Sequence, residues 1–126
     1  MQLRTPIAQI RGLGSAREGV EHWKMQRLTA VANLLLVIWF LISAVSLAGA
    51  TYDEACAWLA SPVSASLMLL LIGSAFYHAK LGLQVVIEDY VHHEGAKIAS
   101  LTAVTLGCIA LGVACAVAVL KISLGS

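Results

Sequence analysis

The feature that most constrains the fold is an uncharged apolar stretch at residues 28–48, which reads LTAVANLLLVIWFLISAVSLA. A helix rises about 1.5 Å per residue, so about 20 apolar residues are enough to cross the hydrocarbon core of a bilayer. The whole chain of 126 residues is 60% hydrophobic and only 12% charged, which is far more apolar than a soluble domain of this length. Residues 28–48 are therefore predicted to form a transmembrane helix of an integral membrane protein.

Two further apolar segments, residues 62–88 and 98–120, have the length of membrane spans. Pro62 is well placed to open the first of them, and Lys121 ends the second. We predict an all-α fold with three transmembrane helices in one domain, residues 1–126.

Residues 1–27 are predicted to form a polar tail outside the membrane, in which three glycines interrupt any long helix. These glycines are Gly12, Gly14 and Gly19.

The distribution of basic residues predicts the orientation. Five of the eight basic residues precede the first span, residues 49–61 contain none, and Lys97 lies in the loop before the third span. The positive-inside rule places the N-terminus and that second loop in the cytoplasm, and the C-terminus in the periplasm. The net charge of +1, without a basic run interleaved with aromatic residues, excludes a nucleic-acid partner.

His78 is the single histidine inside a predicted span. An intramembrane imidazole is costly to hold, so it indicates a function: an axial haem ligand or a proton-relay group, with a structural helix-to-helix hydrogen bond as the third interpretation. Gly82, one turn away, leaves room for a flat macrocycle and favours haem. Ligation by two histidines would need the second histidine from another chain.

The polar end of the second span carries Asp89 and Tyr90, and Asp89 returns to nearly the face of His78. In the predicted orientation Arg27 lies at about the depth of this pair. A phenol and a guanidinium are the donors that a quinone carbonyl or a haem propionate needs. The alternative is that all three residues only mark the lipid-water boundary.

Other polar residues near these spans are given less specific interpretations. Thr29 and Asn33 lie four residues apart, so they share a helix face, which is predicted to turn toward protein. His22, His92 and His93 lie in polar segments and are interpreted as solvated surface residues. Lys80 is predicted to extend toward the interface, and no chemistry is assigned to it.

At HAKLGLQVVIEDYV the chain resembles the hydrophobic membrane-anchor subunit of succinate dehydrogenase, respiratory complex II, in its alphaproteobacterial and mitochondrial form. The family pattern His-x10-Asp-Tyr at the end of the second span is matched by His78, Asp89 and Tyr90. Gly82 and Gln84 also stand as in the family. The segment GVEHWKMQRLTA resembles the family's lead-in to the first span.

The resemblance implies specific roles for these residues. His78 would be one axial ligand of haem b, and the cytochrome b556 anchor subunit would supply the other. Tyr90 would hydrogen-bond a ubiquinone carbonyl with the support of Asp89, and Arg27 would lie near the haem propionates.

Two further residues, Gly82 and His22, are expected in the same vicinity. Some relatives carry a histidine where this chain has Glu21, and His22 is one place along.

The resemblance also implies the function. The chain would be a membrane anchor of the bacterial inner membrane, or less expectedly of the mitochondrial one, that holds a flavoprotein and an iron-sulfur subunit. Electrons from succinate would reach quinone there, and the chain alone would catalyse nothing. The alternatives are a fumarate reductase anchor, or a haem-free subunit for assembly, structure or proton relay.

Overall fold

The computed structural model describes the backbone of residues 14–125 and the side chains from residue 18 onward. This part of the chain forms four helices and no strand: α1 (Gly14–Ser46), α2 (Tyr52–Ala60), α3 (Pro62–Tyr90) and α4 (Glu94–Ser123). Helices α1, α3 and α4 are long and apolar enough to cross a membrane. The prediction of an all-α membrane protein with three transmembrane helices is confirmed.

The bundle presents apolar side chains outward. Leu34, Leu35 and Ile42 on α1 are each more than 60% exposed, whereas the buried apolar residues in the described part of the chain are Ala65, Leu81 and Val119. Such a surface is unfavourable in water but matches lipid chains, because lipid is as apolar as leucine. The packing is therefore that of a membrane bundle.

Helix α1 begins earlier than predicted, because it runs without interruption from Gly14 through Gly19. The prediction that these glycines interrupt a long helix is wrong for both residues, and Gly12 lies outside the described residues. A glycine inside a helix costs only about 1 kcal/mol, which the neighbouring residues of a long helix can offset. At roughly 1.5 Å per residue α1 is about 50 Å long, so the membrane boundaries within it stay a prediction.

Helix α2 lies in the segment that was expected to be a loop, and a capping box fixes its start. The Thr51 hydroxyl accepts the Glu54 N–H at 3.3 Å, and the Glu54 carboxylate accepts the Thr51 N–H at 2.7 Å. This reciprocal pair satisfies two donors at the helix start. The sequence signal, threonine followed three residues later by glutamate, was present at residues 51–54.

One residue separates α2 from α3. The Ser61 N–H donates to the Trp58 carbonyl at 3.3 Å, and the Ser61 hydroxyl accepts the Ser64 N–H at 3.2 Å. Pro62 is the first residue of α3, as predicted. The Trp58 ring of α2 stacks on Trp39 of α1, with ring centroids 5.7 Å apart.

Helix α3 is the centre of the bundle, since α1 and α4 both pack against it, while α2 contacts α3 and α4. Gly112 of α4 faces α3, since a Cβ there would lie 3.6 Å from the Phe76 ring of α3, an ordinary van der Waals distance. Gly107 has no neighbour within 4 Å of such a Cβ. Of these two glycines, only Gly112 lies at the contact between α3 and α4.

Candidate functional site

A polar stripe on α1 faces α3. It consists of His22, Gln26, Thr29 and Asn33, which recur at helical spacing on one face. Thr29 is only 6% exposed and Asn33 is half-buried, which confirms that this face turns toward protein. Three enclosed atoms of the stripe have no hydrogen-bond partner within the described residues: His22 Nε2, Gln26 Oε1 and Asn33 Oδ1. Buried polar atoms are normally paired, so this stripe has unused hydrogen-bonding capacity.

His78 of α3 contacts this stripe through one ring nitrogen. Its Nδ1 lies 2.9 Å from the Thr29 hydroxyl, which is also 2.8 Å from the Met25 carbonyl and 3.2 Å from the Gln26 carbonyl. The Ser74 hydroxyl, one turn before His78, donates to the Thr29 carbonyl at 3.4 Å. The sequence predicted His78 but not Thr29 as its partner, because a contact between helices depends on their register.

The other ring nitrogen of His78, Nε2, has no hydrogen-bond partner among the described residues, and it is not one of the enclosed unpaired atoms. The side chain is half-buried. Nδ1 is therefore held inside the helix pair, while Nε2 is left to a group outside it.

Gly82 lies one turn after His78, as the sequence indicates, but the structure shows what adjoins it. A Cβ at this position would lie 3.8 Å from Gln26 Nε2. The space that the missing side chain leaves therefore borders the Gln26 amide of α1.

The register of α1 against α3 places Arg27 away from the predicted depth. Thr29 is level with His78 and Gln26 with Gly82, so the helices run antiparallel and Arg27 is level with about Leu81. Asp89 lies about eight residues, or roughly 12 Å, further along the axis. The prediction of one common depth for Arg27 and the pair of Asp89 and Tyr90 is therefore wrong.

The side chains of this predicted trio are not in contact. The Arg27 guanidinium lies over the Trp23 ring, 5.3 Å from its centroid. Asp89 is exposed and Tyr90 is 78% exposed, and neither side chain has a hydrogen bond to a described residue. Nearby, Gln84 Nε2 donates to Glu88 Oε1 at 2.9 Å. At the C-terminal end of α3, the Asp89 carboxylate and the Tyr90 phenol thus have no hydrogen-bond partner among the described residues.

Two polar residues that the sequence left without a role have structural contacts. His93 begins α4, because its Nδ1 accepts the Ala96 N–H at 3.2 Å, a capping role more usual for serine, threonine, asparagine or aspartate. The Lys80 ammonium lies over the Tyr77 ring, 5.9 Å from its centroid.

A cavity of about 400 Å³ lies between α3 and α4, with Lys80 and Tyr77 in its otherwise mostly apolar lining. His78 is not among its lining residues, so this cavity is separate from the His78 site.

The residues at His78 fit one half of a haem site. Among the described residues no three histidine, cysteine or acidic side chains gather into a metal cluster. An axial haem ligand needs only a single unprotonated ring nitrogen on each side of the iron. In the tautomer that carries its proton on Nδ1, His78 Nε2 would meet this requirement, since Nε2 has no hydrogen-bond partner among the described residues and Nδ1 lies 2.9 Å from the Thr29 hydroxyl.

Comparison with known proteins identifies the family of this chain. The profile of the family described as succinate dehydrogenase/fumarate reductase transmembrane subunit matches residues 1–119. The chain belongs to this family. The resemblance seen in the sequence is therefore confirmed at the level of the family.

Curated relatives include proteins named succinate dehydrogenase hydrophobic membrane anchor subunit. That of Rickettsia bellii is 34% identical over 92% of this chain and 93% of its own length. That of Rickettsia conorii is 30% identical over 91% and 92%, and that of Paracoccus denitrificans 29% identical over 85% and 83%. The similarity to these relatives thus covers at least 83% of each protein.

Proposed function

We propose that this chain is the hydrophobic membrane-anchor subunit of a succinate:ubiquinone oxidoreductase in a bacterial inner membrane. Family membership supports the class, and the relatives named as succinate dehydrogenase anchors support the succinate enzyme. The family also includes fumarate reductase subunits. The presence of His78 together with Asp89 and Tyr90 in the sequence favours the succinate enzyme. The observation that carries the proposal is the free Nε2 of His78.

In this proposal His78 would hold haem b through one ring nitrogen, and the companion cytochrome b556 anchor would supply a second ligand. The haem would supply one-electron transfer at this site. Arg27, level with about Leu81 and so one turn from His78 toward the Tyr90 end, would pair with a haem propionate through its guanidinium. His22 lies two turns before Thr29 on the same face, with its Nε2 enclosed and unpaired.

The proposed quinone site lies at the end of α3. The Tyr90 phenol is 78% exposed, so it is free to donate a hydrogen bond to a quinone carbonyl. Asp89, next to it, would orient the phenol or the quinone through its carboxylate. The separation of roughly 18 Å between His78 and Tyr90 along α3 keeps the two sites apart but in the same helix.

The proposed partners are the iron-sulfur subunit and the flavoprotein, docked on the side of the N-terminus and the loop before α4. The excess of basic residues on this side supports a cytoplasmic location for it. A reporter enzyme active only in the periplasm, fused after Ser126, should be active. The same reporter fused within the loop before α4 should be inactive, and the reverse pattern would contradict the orientation.

The deciding experiment is His78→Ala in the complex purified with its natural partners. We expect the absorbance of low-spin haem b to be lost, since one of its two axial ligands is removed. His92→Ala removes an exposed imidazole near the end of the same helix and should leave the spectrum unchanged. A wild-type spectrum in His78→Ala would overturn the ligand assignment, and a wild-type complex without haem b would favour the haem-free alternatives.

A further inference from the structure

We propose that Thr29 is a positioning residue for His78. The Thr29 hydroxyl accepts a hydrogen bond from the Nδ1–H of His78 and thereby directs the Nε2 lone pair away from the helix pair. This inference rests on the proposed haem role of His78 and adds a residue from another helix to it. The observation behind it is the 2.9 Å contact between Thr29 Oγ1 and His78 Nδ1.

Proton counting fixes the direction of this hydrogen bond. A ring nitrogen that binds iron carries no proton, so a neutral His78 bound through Nε2 must carry its proton on Nδ1. That proton needs an acceptor within the helix pair. The Thr29 hydroxyl has one proton to donate, and the Met25 carbonyl is a ready acceptor for it at 2.8 Å. The lone pairs of the Thr29 hydroxyl are then free to accept a hydrogen bond from the Nδ1–H of His78.

The surroundings of Thr29 hold this hydroxyl in place. Thr29 is 6% exposed, so surrounding water or lipid competes little for its hydrogen bonds, and bonds in such a low-dielectric setting are strengthened. Its β-branched side chain has few accessible rotamers, and the bond to Met25 one turn earlier selects among them. The acceptor is therefore held in place by α1 itself.

A preset partner on the second nitrogen matters for a metal ligand. It fixes the tautomer and the ring orientation, and it raises the basicity of the nitrogen that binds the metal. Loss of such a partner typically costs about 10- to 100-fold in metal affinity. The same loss makes the imidazole a poorer electron donor, which should shift the haem midpoint potential upward.

The test uses Thr29→Val and Thr29→Ser in the purified complex. Valine keeps the shape of threonine but has no hydroxyl, whereas serine keeps the hydroxyl. We expect Thr29→Val to weaken haem retention about 10- to 100-fold and to raise the haem potential. Thr29→Ser should restore both. The measurements are haem per flavin during dilution, the spectrum of the axial ligands and a redox titration.

Two control variants separate positioning from packing. Ser74→Ala removes the other hydrogen bond between α1 and α3 without touching the imidazole, and Thr102→Val makes the same substitution at an exposed position of α4. Both should retain haem and its potential. If Ser74→Ala reproduces the effect of Thr29→Val, looser helix packing explains the result and the proposal is overturned.

The remaining outcomes are also decisive. Wild-type haem retention and potential in Thr29→Val would overturn the role of Thr29 while leaving the haem function of His78 intact. A haem-free wild-type complex would instead refute the proposed function itself. If Thr29→Val does not assemble, the smaller Thr29→Ala replaces it, with the same expected loss. Failure of both to assemble would assign Thr29 to packing and overturn the proposal.

Discussion

The two ends of the His78 to Tyr90 segment of α3 differ in how much of their chemistry this chain completes. At His78 one ring nitrogen is held by Thr29, a residue that is 6% exposed. At Tyr90 the phenol is 78% exposed and has no hydrogen bond to a described residue. One site is partly built before any partner binds, and the other consists of free donors and acceptors.

This difference follows from where each end lies in the bundle. His78 is opposite α1, whose polar stripe supplies a partner at the same depth. The end of α3 extends past the position level with Arg27, so Arg27 and Asp89 are roughly 12 Å apart along the axis. A quinone site at Tyr90 would therefore need groups from another subunit, whereas the orientation of His78 is set by this chain. The comparison predicts that substitutions near His78 affect helix packing and haem retention. Substitutions near Tyr90 should affect quinone reduction.

The largest expected effect is that of Leu81→Ala. Leu81 is 3% exposed between His78 and Gly82, so truncation leaves a cavity in the packing of α3, at a cost of about 2–5 kcal/mol. The denaturation temperature of the complex in detergent should fall clearly. Leu83→Ala, two residues on and 46% exposed, is the matched control and should have little effect. Equal effects would mean that this region is no better packed than the exterior.

An intermediate effect is expected for Tyr90→Phe. Loss of the phenol hydrogen bond should lower quinone reductase activity about tenfold, which corresponds to roughly 1.4 kcal/mol. Succinate oxidation by a soluble dye and thermal stability should not change, because the side chain is exposed. Tyr52→Phe removes an equally exposed phenol on α2 and should preserve both activities. Parallel loss of both activities in Tyr90→Phe would argue against a quinone role.

The smallest effect is expected for Gln84→Ala. This substitution removes the exposed hydrogen bond to Glu88, and pairs four residues apart on a helix contribute only about 0.2–0.5 kcal/mol. Glu88→Ala should cost the same amount, and the double variant should cost no more than either single one. The denaturation temperatures of the three variants test this. A cost near that of Leu81→Ala would show that the end of α3 is structurally essential.

The sequence predicted the long helices well, because apolar length and charge placement determine them. Pro62 at the start of α3 and the buried face of Thr29 and Asn33 followed from local rules. It missed α2, although Thr51 and Glu54 carried a capping-box signal, and it overestimated the power of Gly14 and Gly19 to interrupt a helix.

The candidate site was predicted only in part. His78 could be identified from its cost in a membrane, but its partner Thr29 lies 49 residues away in sequence. Which α1 residue meets His78 depends on how α1 and α3 pack, and helical periodicity within one segment does not contain that information. Only part of the polar stripe was predicted, namely Thr29 and Asn33. His22 was interpreted as a solvated residue, although it lies at helical spacing from Thr29 and its Nε2 is enclosed.

Ser61 has a consequence for anyone who labels this protein. Its backbone closes α2 and its hydroxyl opens α3, so the two helices share a joint one residue long. An inserted tag at this joint would separate the two caps and pull Trp58 from Trp39. The turn before α2 has more room, because a Cβ at Gly49 would have no neighbour within 4 Å. Gly49 itself must be kept, since its positive φ of 84° would strain any other residue. An epitope or spin label is best placed in this turn beside Gly49.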